Sequence, residues 1–388
     1  MQLYGIRVDK NELNTFGIFL QEKITDLEGK IYNLAGETFN INSPKQLSEI
    51  LFNKLGLKGG KKTKTGYSTN ADVLEKLAPN NEIVRDVLQY RTYQKLKSTY
   101  CDGLSALVNP QTGRIHSIFH QMGTVTGRLS SSEPNMQNIP TRTELGRELR
   151  KMFTAEDGYV LIDADYSQIE LRVLAHLAQD PIMIEAFKNN EDIHAVTASK
   201  ILGVPVDKLT KEQRSSAKAI NFGIVYGMSE FTLSNDLNIS FREAKEYMNE
   251  YFNKYSGVHD YLEFLKAFAK EKGYVTTLFN RIRYINELKS PQVMVRAFGE
   301  RAAMNTPVQG TAADIMKYAM VRVYNRLKEE KLSSRLILQV HDELIIEAPE
   351  SEKDKVCEIL KNEMENAVNL SVPLVVDMQT GTSWYDTK

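Results

Sequence analysis

The run RLILQVHDELIIEAP, residues 335–349, contains two apolar segments separated by His341, Asp342 and Glu343. Short apolar segments rich in β-branched residues are typical of buried strands, so the run predicts a β-hairpin with an acid pair at its tip. The turn lacks the Asn-Gly or Asp-Gly pair that two-residue hairpins favour. Taken by itself, Asp342 is also compatible with an ordinary turn residue, because aspartate readily bonds turn backbone.

A second acid ends another predicted strand. The segment YVLIDAD, residues 159–165, has a buried-strand pattern that closes on Asp165, and a helical pattern follows it. An aspartate in that position also suits a helix N-cap. If Asp165 and Asp342 met at about 4 Å, their repulsion would be about 4 kcal/mol at an effective dielectric near 20. A divalent cation would relieve it, and Mg²⁺ prefers carboxylate oxygens together with phosphate and water. The separation of the two acids in sequence leaves both interpretations open.

Composition limits the classes of protein that need to be considered. The chain has 388 residues and a net charge of -1, so its overall charge does not indicate nucleic-acid binding. No apolar run approaches the roughly 18 residues that span a bilayer, and no signal-peptide pattern opens the sequence. The two cysteines, Cys101 and Cys357, exclude a disulfide framework and predict a reducing compartment. A long helical region, roughly residues 176–330, lies between the strands, so the predicted fold class is α+β.

A third pattern, RSSAKAINFGIVYG, spans residues 214–227. On a helix, Arg214, Lys218 and Phe222 form a stripe, and Tyr226 extends it. Two cations followed by two aromatic rings suit a nucleoside triphosphate, with the cations on phosphates and a ring on sugar or base. The alternative is an amphipathic helix with a buried aromatic face. The glycines within the pattern each cost about 1 kcal/mol inside a helix, which favours close approach of a bulky group.

A lysine-rich segment lies in the first third of the chain, which otherwise has a helical pattern. KLGLKGGKKTKTGYSTN, residues 54–70, contains five lysines and no acid. It is compatible with a solvated loop or with a flexible tip that touches phosphates without reading sequence. The following segment, residues 86–100, has the 3.6-residue apolar period of an amphipathic helix.

Five blocks occur in one order along the chain: TVTGRLSSSEPNMQNIP (124–140), DADYSQIELRVLAHL (163–177), EQRSSAKAINFGIVYG (212–227), ERAAMNTPVQGTAADIM (300–316) and LQVHDELIIEAP (338–349). In content, order and approximate spacing they resemble the family A DNA polymerases. The resemblance implies a right-hand polymerase fold with an antiparallel-sheet palm, helical fingers and a helical thumb. The implied limits are the start of the palm at 1–9, thumb 10–105, palm 106–175, fingers 176–300 and palm 301–388.

The resemblance assigns the chemistry to a few side chains. Asp165 and Asp342 would be catalytic and would bind two Mg²⁺ ions with the backbone carbonyl of Tyr166, and Mn²⁺ would be able to substitute. Lys218 would be the catalytic proton donor to pyrophosphate, and Glu343 an auxiliary acid. The implied nucleotide-binding residues are Arg214, Lys218, Phe222, Tyr226, Glu170, Gln168 and His194.

Two of these residues, Glu170 and Tyr226, resemble a steric gate against the ribose 2′-hydroxyl. The alternative for Glu170 is a surface acid in the first turn of a helix, where the macrodipole favours it. The implied DNA-binding residues are Arg128, Gln137, Asn138, Arg142, Arg301, Asn305, Gln309, His341, Lys61 and Lys62. Donors among them can test the shape of a base pair, since every correct pair presents minor-groove acceptors. The alternative for Asn305 and Gln309 is helix capping near Pro307.

The implied activity is template-directed extension of a DNA primer from dNTPs with release of pyrophosphate. The expected partners are primer–template DNA and dNTPs, with no membrane, and the expected state is a monomer in the cytoplasm, associated with the nucleoid if the source is bacterial. We expect neither proofreading exonuclease nor 5′ nuclease activity from this sequence. Three alternatives are a single-subunit RNA polymerase, a non-catalytic DNA-binding clamp and, more distantly, a metal-dependent nuclease.

Overall fold

A computed structural model describes residues 1–63, 66–141 and 143–387 of the chain. The α-helices in these ranges are α1 (Lys10–Ala35), α2 (Pro44–Ser48), α3 (Ala71–Leu77), α4 (Glu82–Lys95), α5 (Gly103–Leu107), α6 (Glu144–Glu148), α7 (Ile169–Ala178), α8 (Pro181–Lys188), α9 (Ile193–Leu202), α10 (Lys211–Val225), α11 (Glu230–Leu237), α12 (Phe241–Lys254), α13 (Ser256–Lys272), α14 (Val293–Glu329) and α15 (Lys353–Glu365). The strands are β1 (Ile6–Val8), β2 (Lys62–Thr63), β3 (Gly66–Tyr67), β4 (Arg114–Ile115), β5 (Ile118–His120), β6 (Ser130–Ser132), β7 (Phe153–Thr154), β8 (Tyr159–Tyr166), β9 (Tyr274–Thr276), β10 (Ile282–Tyr284), β11 (Arg335–Val340), β12 (Glu343–Pro349) and β13 (Val376–Gly381).

A four-stranded antiparallel sheet in the order β11–β12–β8–β13 forms the centre of the fold. Both predicted strand regions belong to it: YVLIDAD lies in β8, and the hairpin predicted at 335–349 is β11–β12. With helices packed around an antiparallel sheet, the predicted α+β class is confirmed.

The sheet separates two hydrophobic cores. Alternate residues of β8 and β12, such as Ile162 and Leu344, join buried residues of α7, α14 and α15. The intervening residues, such as Leu161 and Ile345, join buried residues of α1 and α4. Since side chains alternate across a strand, this two-sided burial explains why the strands are almost continuously apolar. The acids at 163 and 165 continue the row of Leu161.

The N-terminal helices behave largely as predicted. The amphipathic segment at 86–100 forms α4, which buries Val87, Tyr90 and Tyr93, and continues as a π-helix over Leu96–Asp102. In the lysine-rich segment, β2 pairs with β3, and the Lys62 ammonium lies 5.6 Å from the centre of the Tyr67 ring. Part of that segment, including residue 64, lies outside the described residues.

The helical region predicted at roughly 176–330 also contains two short strands that the sequence did not predict. The antiparallel hairpin β9–β10 lies between α13 and α14. Its strands have three residues each, too few for a two-residue period to be recognised in sequence. Among the described residues, no helix is both long and apolar enough to cross a membrane.

A buried ion pair fixes the outer end of β12. Arg114 Nη2 lies 2.6 Å from Glu347 Oε2, and their side chains are 9% and 0% exposed. Arg114→Met would leave the Glu347 carboxylate buried without its cation, so we expect a loss of about 3–5 kcal/mol in the free energy of unfolding. Urea unfolding measures this loss. The control is Arg242→Met, which removes the exposed ion pair with Glu246 and is expected to cost less than about 1 kcal/mol. Equal unfolding midpoints for the two variants would contradict the prediction.

Candidate active site

The first feature of the site is the meeting of two strand ends. In the β8–β12 register, Asp165 lies opposite Glu343. The backbone N–H of Tyr166 donates a hydrogen bond of 3.0 Å to the carbonyl of Asp342, which ties the end of β8 to the hairpin tip. The tip itself has two residues, and His341 adopts a left-handed conformation with φ of 53°. Asp165, near the end of β8, and Asp342, in the turn between β11 and β12, are therefore neighbours.

Both aspartates line one cavity of about 470 Å³. Its lining residues are Thr141, Arg147, Arg150, Asp165, Val340, His341, Asp342, Glu343 and Tyr385. Within the described residues, no group of three or more His, Cys, Asp or Glu side chains is placed to hold a metal ion. Two carboxylates still fit Mg²⁺, which commonly takes one or two protein carboxylates and completes its shell with water and phosphate oxygens.

Arg128 joins this acid pair to a third carboxylate. Its Nη2 lies 3.3 Å from Asp342 Oδ1 and 2.8 Å from Glu170 Oε1. The Glu170 side chain is 5% exposed, so the surface-acid alternative is wrong. Burial raises the pKa of Glu170, and Arg128, Tyr226 and Gln309 offset part of that rise. Glu170 Oε2 lies outside good hydrogen-bonding geometry with every described residue.

The predicted cation–aromatic helix is α10. The Thr210 side chain caps it in a capping box with Gln213, while Arg214 and Lys218 are exposed and Phe222 is half-buried. Tyr226 lies at the C-cap, 42% exposed, yet its hydroxyl is close enough to Glu170 that burial and this carboxylate raise the pKa of Tyr226 to about 12. The end of α10 therefore belongs to the same site as the carboxylates.

The two glycines in this segment are explained by close contacts with other residues of the chain. A Cβ on Gly223 would lie 2.8 Å from Met228 Sδ. Gly227 lies beyond the end of α10 with φ of 66°, and a Cβ there would lie 2.9 Å from Met304 Cε. The expectation that both glycines lie inside the helix is wrong for Gly227, and both positions are accounted for by packing against methionines.

Asp192 and His194 lie beside α10. Asp192 caps α9, and its Oδ2 lies 2.5 Å from Arg214 Nε. Burial raises the pKa of Asp192, but its hydrogen bonds with Arg214 and with backbone N–H groups outweigh burial and lower it overall. His194 is 2% exposed, lies 3.0 Å from Asn221 through Nδ1, and has its ring centre 5.7 Å from that of Phe222.

The remaining predicted residues are distributed over several surfaces. Arg128, Gln137 and His341 line one small cleft, in which Gln137 Nε2 donates to Gln339 Oε1 at 3.1 Å. Asn305 and Gln309 lie within α14, so the capping alternative is wrong, and Asn305 Oδ1 is buried without a partner among the described residues.

Six further predicted positions complete the distribution. Gln168 is left-handed and precedes α7, Asn138 is exposed, and Arg301 is exposed on α14. Lys61 and Lys62 lie on or beside the β2–β3 hairpin and are not among the residues that line the cavity. Arg142 lies outside the described residues.

Comparison with known proteins identifies the family. The family model described as DNA polymerase family A matches residues 10–386. This chain belongs to DNA polymerase family A. DNA polymerase I of Caldicellulosiruptor bescii is 56% identical over 388 residues, which are 100% of this chain and 46% of that protein. DNA polymerase I of Geobacillus stearothermophilus is 53% identical over 100% of this chain and 44% of its own length. The chain thus spans about half the length of these relatives.

A solved structure supports the fold of this family A chain. The POL domain of Pol1 from M. smegmatis, in complex with DNA primer–template and dNTP, matches with a TM-score of 0.93. The two are 44% identical in sequence, and the match covers 98% of this chain and 68% of that one. The predicted right-hand polymerase fold is confirmed.

Some residues of this family A site were not predicted from the sequence. Arg147, Arg150 and Tyr385 line the cavity with the aspartates, and Asp192 holds Arg214. The acid at 192 carries a weak signal, because aspartate before a helical pattern suggests an N-cap. The sequence around Arg150 carries no such signal, because the residues that surround Arg150 in space come from β12 and the C-terminal segment.

The burial of His194 makes a prediction for acid stability. Burial lowers the pKa of His194 to about 4. Between about pH 6.5 and 4, His194 is protonated in the unfolded chain but neutral in the folded chain. The free energy of unfolding therefore decreases as the pH falls from about 6.5 to about 4, and His194 causes no further decrease below about pH 4. Urea unfolding between pH 7.5 and 4.5 is expected to give a shallower pH dependence for His194→Gln than for the parent. The exposed His259→Gln is the control, and parallel curves for His194→Gln and the parent would exclude this origin.

Proposed function

We propose that this chain is a template-directed DNA polymerase that adds dNTPs to a primer 3′-hydroxyl and releases pyrophosphate. One observation carries the proposal: Arg128 contacts both Asp342 and Glu170, and Tyr226 at the end of α10 lies against Glu170. A carboxylate pair suited to Mg²⁺ and a helix suited to a triphosphate therefore share one site. The names of the polymerase I relatives and the primer–template and dNTP of the M. smegmatis complex support the same activity.

The carboxylate pair supplies the metal ligands in this proposal. Asp165 and Asp342, with the carbonyl of Tyr166, would hold two Mg²⁺ ions, and Mn²⁺ would substitute. When bound, such ions stabilise charge on the transferred phosphoryl group and lower the pKa of an attacking hydroxyl. The carboxylates fix where the primer end and the α-phosphate meet, and Glu343 is auxiliary because it lies opposite Asp165 on the neighbouring strand.

The α10 helix orients the incoming nucleotide. Arg214 leaves Asp192 and binds a phosphate with two parallel hydrogen bonds, a geometry that guanidinium favours. Lys218 lies one turn further, binds phosphate as a point charge and donates a proton to pyrophosphate. Phe222 packs on the sugar, and the buried ring of His194 contacts the Phe222 ring. Gln168 and Tyr226 border the sugar and the templating base.

Glu170 and Tyr226 form the gate that selects dNTPs. Since the Glu170 side chain is buried beside the Tyr226 hydroxyl, there is little room at this point for a ribose 2′-hydroxyl. Glu170→Ala opens that space, so we expect at least about tenfold more ribonucleotide incorporation, the size of effect that one bulky group gives in a fitted pocket. Competition between dNTP and NTP in primer extension measures it, with the exposed Glu185→Ala as control. Unchanged preference in Glu170→Ala would remove Glu170 from this role.

The DNA contacts are also part of the proposal. Arg128, Asn305, Gln309 and His341 offer donors to the minor-groove acceptors of the nascent pairs. Arg128 has to leave Asp342 to do so. Gln137, Asn138, Arg142 and Arg301 would contact the DNA backbone or the template, and Lys61 and Lys62 would touch phosphates from the thumb. The proposal also includes the limits of palm, thumb and fingers given above, a monomeric state, and a location in the cytoplasm, associated with the nucleoid if the source is bacterial.

A single assay tests the function. The parent protein is incubated with a labelled primer–template, the four dNTPs and Mg²⁺, and the variant Asp342→Asn is run beside it. We expect extension by the parent, loss of extension in the variant, and equal DNA affinity by fluorescence anisotropy. Extension with NTPs in preference to dNTPs would favour the RNA polymerase alternative. DNA binding without extension by the parent would favour a clamp, and primer shortening that Asp342→Asn abolishes would favour a nuclease.

A further inference from the structure

Arg150 is a buried arginine beside the proposed metal ligands, and the mechanism above gives it no role. It belongs to a short 3₁₀-helix, Leu149–Met152, that leads into β7. Its exposed fraction is 4%, and it lines the same cavity as Asp165, Asp342 and Glu343. Burying a cation so deeply costs free energy unless nearby negative charge or hydrogen bonds compensate it, so the position of Arg150 needs an explanation.

The guanidinium is fixed in place by the C-terminal segment. Its central carbon lies 4.1 Å from the centre of the Trp384 ring, a cation–π contact. Trp384 is fully buried, its backbone N–H donates to the carbonyl of Phe153 at 2.8 Å, and its ring meets that of Phe153 edge-on at 5.6 Å. Arg150 therefore has a rigid support and a defined position relative to the sheet.

The facing surface of the sheet is acidic. Glu343 lies directly opposite Asp165 in the β8–β12 register, and like charges in that relation destabilise a sheet. Asp163 lies two residues earlier on the same face of β8, and Asp163 and Glu343 are 2% and 6% exposed. Burial lowers the pKa of Arg150, and attraction to Glu343, Asp163 and Asp165 opposes this. An arginine keeps its charge under such conditions.

We propose that Arg150 is a positioning residue for the metal ligands. Its fixed positive charge offsets the repulsion among the carboxylates of β8 and β12, so that the strand ends stay assembled before divalent cations bind. The same charge repels those cations, so Arg150 also sets the Mg²⁺ concentration at which the site fills. This inference rests on the proposed function, because it assigns Mg²⁺ to Asp165 and Asp342.

Two substitutions separate charge from packing. Arg150→Gln removes the charge, and Arg150→Lys keeps it. The measurements are the thermal unfolding midpoint in EDTA and across a Mg²⁺ series, and the Mg²⁺ dependence of primer extension. For Arg150→Gln we expect a lower midpoint in EDTA, a larger rise on adding Mg²⁺ than in the parent, and half-saturation at roughly threefold to tenfold less Mg²⁺. For Arg150→Lys we expect half-saturation within about twofold of the parent, because its unit charge is unchanged.

Two outcomes would overturn the inference. In the first, Arg150→Gln lowers the unfolding midpoint by the same amount with and without Mg²⁺, and its primer extension reaches half-saturation at the same Mg²⁺ concentration as that of the parent. In the second, Arg150→Gln stays unfolded at every Mg²⁺ concentration while Arg150→Lys folds. The proposed function fails separately: the parent then neither extends primers nor gains thermal stability with Mg²⁺. If the parent does both, an unaltered Mg²⁺ response of Arg150→Gln rejects the role of Arg150 alone.

Discussion

Asp165→Asn is expected to reduce primer extension in Mg²⁺ by about 10³- to 10⁴-fold. The amide keeps the size of the side chain but loses the charge and one anionic oxygen, so a metal ion in the cavity would lose one of its two carboxylate ligands. The loss of several kcal/mol of transition-state stabilisation corresponds to a rate effect of this size. Single-turnover extension at saturating dNTP and DNA measures it.

The control for this prediction is another aspartate near β8. Asp157 precedes the strand, and its side chain is 95% exposed in a surface pair with Arg7. Asp157→Asn is expected to extend primers within about twofold of the parent, because exposed pairs contribute little. Near-parental extension by Asp165→Asn would show that Asp165 is not a ligand of the catalytic metal ions. An equal loss in both variants would show that the effect is not specific to Asp165. Thermal unfolding of each variant checks that the sheet remains intact.

The strands that carry these acids were predictable because their signal is local. Both strands are buried on two faces, so their sequences are nearly continuous apolar runs that end at Asp165 and before Asp342. The α10 helix was equally predictable, because Arg214, Lys218 and Phe222 recur at a spacing of four residues and form one helical stripe. In each case one short segment contains the whole pattern.

Features that depend on distant parts of the chain were not predictable in this way. The turn at His341 takes a left-handed conformation without the usual Asn-Gly pair, because the hydrogen bond from Tyr166 and the pairing with β8 hold it. Arg150 meets Trp384 only through the pairing of the C-terminal segment with the chain around Phe153. The contact between Tyr226 and Glu170 was expected from the family resemblance and not from spacing.

The second large effect is expected at Lys218. Lys218→Ala removes both a phosphate contact and the proposed proton donor to pyrophosphate, so the maximal extension rate should fall by about 10²- to 10³-fold. Arg214→Ala should instead raise the KM for dNTP by about tenfold. The effect on binding is limited because Arg214 already has a partner, Asp192, and gives up that ion pair to bind a nucleotide.

The separation of these two effects is the test of the roles given to α10. Pre-steady-state extension over a dNTP series yields the maximal rate and the half-saturating concentration for each variant. Lys211→Ala, at the exposed first position of α10, removes the same charge at the far end of the helix and should change neither value by more than about twofold, because exposed charges are screened by solvent and salt. If Lys218→Ala changed only the half-saturating dNTP concentration, Lys218 would be a binding residue and the proton to pyrophosphate would have to come from elsewhere. If Lys211→Ala reduced the rate as strongly, the effect would belong to the overall charge of the helix, because a proton donor acts only from a fixed distance to the leaving oxygen.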